Sequence, residues 1–599
     1  MLLRLLRKAF RPAPSRQTSK DREHALQLAI QQAIKLAENG QIDASIAAYE
    51  AILEGEPESL LALHGLSLLL ISKDRFTQAY AIARELTDQI PHVPEAWTLR
   101  ALSARGLGLL DEALTAAEES VRIRPDPAMI SCAGVIQFHL GRMQDALSTF
   151  DRAIALTPND DSIHSNRLFV LAIWPAIPRE TVIAEHFKWG HDVEARVKLP
   201  GLPHPNNRTL DRRLRIGYVS ADLRAHPVAT LLEPILLNHD RTKVEVFCYD
   251  CHGGLGDTVT NRLRRQVDQW IMCSKLSDTE MVGRIRADEI DILVDLSGHT
   301  AGNRLPVFAM KPAPVQVSWF GYMNTTGLTR IDYRLTDASL CPPGSEEMYS
   351  ERLYRLPVAV AWAPQPNCPQ PGPLPLLTNK HVTFGSFNNW SKVSESVISC
   401  WVRILIACPE SRLRIIAAGG NTPEVKQGIE YQFSRAGVPS ERLYVQGTVP
   451  LTEFVQLVAS VDIALDPFPY NGGTTSFHCM WMGVPFVSLK MDEELGRVGY
   501  GILCSVGLGD LCADSEDAYV QLALKLAQDP NRLAQIRGTL REKLAHTGAM
   551  DAASITREVE RAFASMWHKF IAKELSLNVD EDSTVAPQDR AAPQENDIG

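Results

Sequence analysis

The stretch Val461-Asp-Ile-Ala-Leu-Asp-Pro-Phe-Pro-Tyr-Asn-Gly-Gly-Thr-Thr-Ser476 leads from an apolar segment, through a loop of small and polar residues, into a helical pattern. The apolar residues at 461–465 predict a short buried strand. A helix that begins with small residues exposes backbone N–H groups, and its dipole favours an anion at that end. We therefore interpret Gly473, Thr474 and Thr475 as a phosphate-binding helix start, with an ordinary strand-to-helix turn as the alternative.

Similar strand-like segments recur from residue 210 onward. They lie at 214–220, 244–249, 290–296 and 315–319, and again at 382–387, 413–417, 442–446, 461–465 and 485–489. Helix-length segments separate most of them, and this alternation predicts α/β doubly wound parallel sheets. A proline-rich stretch from Pro364 to Pro375 separates the two groups. The sequence therefore predicts two Rossmann-like domains, at 211–375 and 376–575, with a cleft between them.

The first quarter of the chain repeats about every 34 residues. Prolines recur at 57, 91, 125 and 158, and the turn residues Gly40, Asp74, Gly108 and Gly141 keep the same spacing. This period is typical of tetratricopeptide repeats, in which pairs of antiparallel helices stack into an all-α solenoid. We predict about four repeats over residues 24–170 and a helical linker over 171–210. Such a solenoid binds peptides or proteins, so a scaffold without catalytic activity is one alternative to an enzyme.

Composition and apolar runs argue against two classes of protein, and the two chain ends have their own predicted structures. The 599 residues include 61 Lys+Arg and 71 Asp+Glu, and a net charge of −10 argues against a general nucleic-acid binder. The chain contains no run of 18 apolar residues, so we expect a cytoplasmic protein without stable membrane insertion. Residues 1–23 are expected to form a basic tail, whose first eleven residues either make an amphipathic helix on a membrane surface or remain a frayed or docked terminus. Residues 576–599 are expected to form a disordered polar tail.

The cysteines do not form a disulfide framework. There are 11 of them at irregular spacings. Cys248-Tyr-Asp-Cys251-His252 matches the spacing of c-type haem attachment, but the residues before it alternate like a strand. We therefore interpret Cys248 as a packed core residue.

Three other loops that follow predicted strands carry polar side chains. Asn388-Asn389-Trp390-Ser391-Lys392 supplies a lysine, Ala221-Asp-Leu-Arg-Ala-His226-Pro227 a histidine able to act as a base, and Ser297-Gly-His299-Thr300 a second histidine. Ligands of doubly wound sheets bind beyond the carboxyl ends of the strands, where these loops lie. Each loop alone is weak evidence, because lone lysines are usually solvated and lone histidines near turns are usually structural.

Common metal-binding and phosphate-binding motifs are missing from the sequence. It has no Walker lysine loop, no His-Glu-x-x-His and no conspicuous Asp-x-Asp loop for a metal–diphosphate complex. We therefore expect no metal site. If the ligand is a diphosphate, Lys392 and the helix start at Gly473–Thr475 must offset its charge.

Together, these segments resemble the O-linked N-acetylglucosaminyltransferase family, which includes the plant SPINDLY branch. The resembling segments are Arg215–Asp222 with His226-Pro227, Val294–Thr300, Pro312–Gln316 with Trp319–Tyr322, Phe387–Lys392, and Asn471–Ser476 with Trp481–Pro485. The resemblance covers about residues 24–570. It implies a GT-B fold and inverting, metal-independent transfer of N-acetylglucosamine from UDP-GlcNAc to Ser or Thr of acceptor proteins, without a cofactor.

The resemblance also implies roles for individual residues. His226 matches an active-site histidine that has been considered as a base, while Lys392, Thr474 and Thr475 match contacts to the diphosphate. Further nucleotide-sugar contacts implied by position are Asn389, Val449, Gly473 and His478, and His299 and Thr300 are candidates for contact with the acceptor or sugar.

The chain departs from the animal members of that family at three positions. Gly473 stands where they have His, His478 where they have an Asp that holds the ribose, and Leu451 where they have a Lys near the nucleobase. The alternatives are therefore the same fold with another donor or acceptor, such as GDP-fucose, another UDP-sugar or a bacterial surface protein, and a non-catalytic tetratricopeptide adaptor. The expected partners are acceptor proteins bound through the repeats, and homodimerisation is a further alternative.

Overall fold

The computed structural model describes residues 16–198, 203–254, 256–365, 368–417 and 419–582. Within these residues, a helical N-terminal region precedes two parallel β-sheets. This arrangement confirms the predicted fold class. Residues 1–11, for which an amphipathic helix was considered, lie outside the described residues.

Ten helices occupy the described residues from 16 to 196 as five consecutive antiparallel pairs. They are Arg16–Glu38 with Ile42–Gly55, Leu60–Ser72 with Phe76–Gln89, Pro94–Leu107 with Leu110–Ile123, Pro127–His139 with Met143–Leu156, and Asp161–Ile173 with Arg179–Arg196. The first four pairs correspond to the predicted repeats, and each of their turns holds one of the predicted turn residues at positive φ: Gly40, Asp74, Gly108 and Gly141. Ala79, Ala113 and Ala146 are fully buried, because a small side chain lets the paired helices approach closely.

Both ends of the described chain are more helical than the sequence predicted. The helix Arg16–Glu38 begins inside the predicted basic tail and is anchored by buried Ile30 and Ala33. The helix Ala552–Asp582 continues past residue 576, where the disordered tail was predicted to begin. Once a helix is anchored by packing, adding a polar residue to it costs little, so both helices extend into polar sequence.

The first sheet contains seven parallel strands in the order β3-β2-β1-β4-β5-β6-β7. The strands are β1 Leu214–Ser220, β2 Val244–Asp250, β3 Gln269–Met272, β4 Ile292–Asp295, β5 Val315–Ser318, β6 Tyr333–Asp337 and β7 Arg352–Leu356. The helices of this half are Pro227–Asn238, Thr258–Arg264, Asp278–Ala287 and Leu305–Ala309. Strand order reverses between β1 and β4, so the loops after these two strands border the crevice of this sheet.

The second sheet contains six strands in the order β10-β9-β8-β11-β12-β13. They are β8 Thr383–Ser386, β9 Arg412–Ile416, β10 Leu443–Gln446, β11 Ile463–Leu465, β12 Phe486–Leu489 and β13 Cys512–Ala513. The helices from here to the end of the described chain are Pro375–Asn379, Glu395–Ala407, Pro423–Ser434, Leu451–Ala459, Thr474–Trp481, Val498–Ser505, Glu516–Ala527, Pro530–Ala545 and Ala552–Asp582. Here the order reverses between β8 and β11, which brings the loops 387–392 and 466–473 side by side.

Buried polar contacts join the two halves. The guanidinium of Arg334 in β6 lies 2.7 Å from the carboxylate of Glu494, and both side chains are almost fully buried. The last helix returns to the first half, where the Glu560 carboxylate accepts a hydrogen bond from the backbone of Asp240 at 2.8 Å. Within the described residues, no helix is both long and apolar enough to cross a bilayer.

Candidate functional site

The loops after β8 and β11 contact each other through polar groups. The Lys392 ammonium donates a hydrogen bond to the Asn471 carbonyl at 3.0 Å. Deeper in the same loops, the Asn388 amide donates to Asp466 Oδ1 at 3.4 Å. The topological switch point of the second sheet therefore holds a lysine supplied by one loop against the backbone of the other.

The charge of Lys392 is held in a desolvated environment. Its Nζ lies 3.6 Å from the centroid of the Tyr470 ring, a favourable distance for a cation–π contact. Burial lowers the pKa of Lys392 to about 8, although the nearby Asp466 carboxylate acts to raise it. At pH 7 the lysine is still about 90% protonated, as a pKa of 8 requires. An anion that entered this site would meet a positive charge already stripped of much of its water.

The helix start beside Lys392 has no side-chain cap. The helix Thr474–Trp481 begins after Gly473, which makes no side-chain capping bond, and its first turn contains no acidic residue. Ser476 N and Phe477 N both donate to the Gly473 carbonyl. Thr474 and Thr475 are partly exposed. The backbone N–H and hydroxyl groups of Thr474 and Thr475 are therefore available to an anion, and the helix dipole favours one.

Asp466 shapes the loop that carries the helix start. Its buried carboxylate accepts hydrogen bonds from Gly472 N at 2.7 Å and from Ser488 Oγ at 2.7 Å. Burial raises the pKa of Asp466 to about 7, and these hydrogen bonds act in the opposite direction. Asp466 was not among the functional residues predicted from the sequence. An aspartate directly after a buried strand and before a Gly-Gly pair was the available signal.

A cavity of about 570 Å³ opens from Lys392 toward the helical region. Its wall on the sheet side includes Lys392 and Tyr470. Its opposite wall includes Arg142 in the turn of the fourth repeat and Trp174 after the helix Asp161–Ile173. This contribution of the repeats could not be predicted from the sequence, because it depends on how the solenoid docks against the sheets.

His226 lies at the switch point of the first sheet. It caps the helix Pro227–Asn238, with its Nδ1 accepting from Val228 N at 3.3 Å. The carboxylate of Asp222 lies 3.6 Å from the same nitrogen. Burial lowers the pKa of His226 below its usual value, although Asp222 acts to raise it. The imidazole is therefore mainly neutral at pH 7.

His299 is enclosed rather than open to a cleft. It is 1% exposed, and its ring nitrogens bond to Ser165 Oγ at 3.0 Å and to the Thr326 carbonyl at 2.9 Å. Trp189 packs edge-on against it. The fifth helix pair therefore covers this histidine, and both ring nitrogens have protein partners. The hydroxyl of Thr300 donates to the Ser297 carbonyl at 2.8 Å.

The three remaining predicted contact residues differ in exposure. Asn389 is exposed and its side chain accepts from Ser391 N at 3.2 Å. Val449 is partly exposed, just before the helix Leu451–Ala459. His478 is buried, with its ring 5.3 Å from Trp362 and 5.7 Å from Phe454. Burial lowers the pKa of His478 to about 4, so this position presents a neutral ring.

Comparison with known proteins gives a consistent family assignment. The family model described as glycosyl transferase family 41 matches residues 171–361 and 375–559, and a tetratricopeptide repeat model matches 36–102. A probable UDP-N-acetylglucosamine–peptide N-acetylglucosaminyltransferase SPINDLY from Petunia hybrida is 38% identical over 371 residues, which are 61% of this chain and 40% of that protein. The similarly described SEC protein of Arabidopsis thaliana is 30% identical over 63% of this chain and 40% of its own length.

A solved structure resembles almost the whole chain. A mutant of the O-GlcNAc transferase from Thermobaculum terrenum has a TM-score of 0.77 and 32% identity, and the match covers 94% of this chain and 100% of that one. The curated relatives are longer, and the matches to them span less than half of their length.

Proposed function

Because this chain belongs to glycosyl transferase family 41, we propose that it transfers N-acetylglucosamine from UDP-GlcNAc to serine or threonine hydroxyls of acceptor proteins. One observation carries most of this proposal. A desolvated lysine contacts the carbonyl of Asn471, three residues before an uncapped helix start, at the switch point of a parallel sheet. This combination suits a diphosphate, which needs both a cation and several N–H donors.

The nucleotide diphosphate is proposed to bind at Lys392, Thr474 and Thr475. Breaking the bond between the sugar and the diphosphate develops negative charge on the departing nucleotide. Fixed donors and a half-buried ammonium stabilise that charge more in the transition state than in the ground state. Since these groups supply the positive charge, we propose that the transfer needs no metal ion.

His226 is proposed to assist removal of the proton from the acceptor hydroxyl. A neutral imidazole is able to accept a proton, and its lowered pKa keeps it neutral near pH 7. In this structure Nδ1 accepts from Val228 N, so Nε2 carries the hydrogen. If Nδ1 instead carried the hydrogen and donated it toward Asp222, Nε2 would be free to act as the base. Attack from the face opposite the nucleotide makes the proposed transfer inverting.

The other predicted positions divide into residues that are proposed to contact the donor and residues that are not. Asn389, Val449, Gly473 and His478 lie on loops and helices at the carboxyl edge of the second sheet and are proposed to contact the donor. His299 and Thr300 lie outside the direct contacts that we propose, because their polar atoms already bond to protein.

The acceptor protein is proposed to reach the site along the repeats. Support comes from the cavity at Lys392, whose far wall is the turn of the fourth repeat. An acceptor segment bound to the solenoid would therefore enter the space that the lysine faces.

Incubation of the full chain with separate nucleotide sugars and a protein lysate tests the proposal. UDP-GlcNAc, other UDP-sugars and GDP-fucose are compared, with intact-mass measurement and peptide mapping of labelled serines and threonines. We expect addition of N-acetylglucosamine, lost in Lys392→Met. Transfer of another sugar would correct the donor, and no transfer from any donor would overturn the enzyme proposal in favour of an adaptor.

A further inference from the structure

Cys251 and Cys273 are neighbours across two parallel strands. In the register of β2 and β3, Tyr249 pairs with Ile271 and Asp250 with Met272, so the two cysteines follow as the next pair. Cys273 N continues the ladder by donating to the Asp250 carbonyl at 2.7 Å. Adjacent strands lie about 4.8 Å apart, which is within the Cα separation that a disulfide spans.

The two thiols also lie on the same face of the sheet. Side chains alternate along a strand, so Cys251 shares a face with Tyr249, and Cys273 with Ile271. All four side chains belong to one hydrophobic cluster. Neither strand therefore has to rotate for the two sulfur atoms to approach each other.

The two cysteines differ in exposure and in acidity. Cys273 is fully buried, whereas Cys251 is partly exposed. The Cys251 thiol donates a hydrogen bond to Cys273, which lowers the pKa of Cys273 and raises the pKa of Cys251. The guanidinium of Arg304 also lowers the pKa of Cys273. Cys251 is therefore the thiol nearer to solvent, and the Cys273 sulfur is the neighbouring acceptor for its proton.

The segment that starts at Cys251 supports the loop that carries His226. Asp257, the cap of the helix Thr258–Arg264, accepts a hydrogen bond from Ala225 N at 2.7 Å. In the same turn, Thr260 Oγ1 donates to the Leu223 carbonyl at 2.9 Å. The chain from Cys251 reaches this turn within six residues, so the two cysteines lie close in sequence to the contacts that hold the backbone next to His226.

We propose that Cys251 and Cys273 form a reversible disulfide that acts as a redox-sensitive modification site. With a small-molecule disulfide such as oxidised glutathione, Cys251 attacks while its proton passes to the Cys273 sulfur, forms a mixed disulfide and releases one glutathione. Cys273 then loses that proton to solvent, attacks the Cys251 sulfur and releases the second glutathione. The two protein thiols lose two electrons and two protons, and these reduce one glutathione disulfide to two glutathione thiols.

Closing this bond draws Cys251 toward β3, because bonded sulfur atoms are about 2.05 Å apart, well inside van der Waals contact. We expect this movement to alter the contacts of Asp257 and Thr260 with the backbone near His226, and the rate measurement below tests that expectation. Bond formation at these cysteines is independent of the proposed sugar transfer, whereas the expected effect on rate rests on that proposed function.

Mass mapping of the full chain after exposure to oxidised glutathione tests the proposal directly. Arg262, Arg264 and Arg265 lie between the cysteines, so trypsin places them in different peptides. We expect a crosslinked pair of these peptides, lighter by two hydrogen atoms than their sum and separated again by dithiothreitol. Finding both cysteines as free thiols, or only as separate glutathione adducts, would overturn the proposal.

Cysteine variants and measurements of the transfer rate test the proposal further. Cys251→Ser and Cys273→Ser should each abolish the crosslink, whereas Cys504→Ser, which removes an exposed cysteine, should leave it unchanged. If the protein transfers sugar, oxidation should lower its rate about tenfold or more, since displacements of about 1 Å near an active site have larger effects than this. A crosslink without any change in rate would leave the disulfide in place and refute its connection to His226.

Discussion

Lys392 Nζ lies 3.6 Å from the centroid of the Tyr470 ring. The lysine follows β8 and the tyrosine follows β11, so this contact spans the point where the strand order of the second sheet reverses. The aromatic face and the Asn471 carbonyl hold the ammonium in place before any ligand arrives. Little reorganisation is then needed when a diphosphate binds, and positive charge fixed in advance is what transition-state stabilisation requires.

Lys392→Met should reduce the transfer rate by about 100-fold to 1,000-fold, the usual effect of removing one fixed donor from a site of developing negative charge. UDP affinity, measured by calorimetry, should fall as well. Lys426→Met is the matched control, because Lys426 is half exposed and has Glu430 as its ion-pair partner on one helix surface. UDP binding by Lys392→Met at the affinity of the unaltered chain would contradict the diphosphate assignment.

UDP affinity should decrease as the pH rises above about 8. The pKa of Lys392 is about 8 in the empty site, and a bound diphosphate raises that pKa because it stabilises the ammonium form. Affinity is therefore fully present below the pKa of the empty site, and above it falls by up to about tenfold per pH unit until the pKa of the complex is reached. Calorimetric titrations between pH 7 and 9.5 measure this slope. The same slope in Lys392→Met would assign the titration to another group.

Gly473→Asp should weaken UDP binding more than Gly473→Asn does. A Cβ at this position meets no atom within 4 Å, so both side chains have space. Asp and Asn cap a helix about equally well, so the two Gly473 variants differ mainly in the charge of the new side chain. A carboxylate within several ångströms of the diphosphate should cost about tenfold or more in affinity. Equal affinities for the two variants would place the diphosphate away from this helix start.

The loss of transfer activity at acid pH should depend on His226. Burial lowers the pKa of this histidine from its usual value, so its neutral form persists below pH 6.5 and is lost only as the pH falls through the lowered pKa. The acidic limb of kcat/KM should therefore lie below pH 6.5 and disappear in His226→Ala, with a rate loss of about 100-fold or more. His546→Ala, which alters an exposed histidine, is the control. Near-normal turnover of His226→Ala would exclude it as the base.

Glu494→Gln should destabilise the protein strongly. It leaves the guanidinium of Arg334 buried without its ionic partner, and breaking a buried pair usually costs about 3–5 kcal/mol. Asp517→Asn breaks an ion pair with Arg403 in which both side chains are exposed, and should cost less than about 1 kcal/mol. Urea unfolding curves compare the two. Similar losses would show that the contact between the halves does not depend on the buried pair.

The sequence predicted those strands whose residues are mainly apolar. In the first sheet β1, β2, β4 and β5 were found for this reason, whereas β3, β6 and β7 were missed, as was β13 in the second sheet. β6 illustrates the cause. Arg334 interrupts its apolar pattern, yet this arginine is buried because Glu494, 160 residues away, neutralises it. A pairing of this kind depends on the tertiary structure and leaves no local pattern in the sequence.

The parts of the candidate site that depend on strand order could be predicted from the sequence. The parts that depend on how the helical repeats pack against the sheets could not. Lys392 and Thr474 follow strands on either side of a topological switch, so a common cleft was expected, and their contact with a nucleotide sugar remains a prediction. His299 follows β4 in the same manner, but the helices of the fifth pair cover it. No spacing rule indicates which loops a distant part of the chain will cover.

The turn of the fourth repeat forms one wall of the cavity at Lys392, and this gives the solenoid two unequal ends. The fourth repeat helps to form the cavity at Lys392, so changes there alter the shape of that cavity. Apart from a hydrogen bond that Lys275 donates to the Glu38 carbonyl at 3.2 Å, the first repeats pack mainly on neighbouring helices. A stack of this kind tolerates addition, loss or exchange of units at its outer end. Recognition can therefore diversify by growth at the outer end, while the inner end is constrained by the cavity that it helps to form.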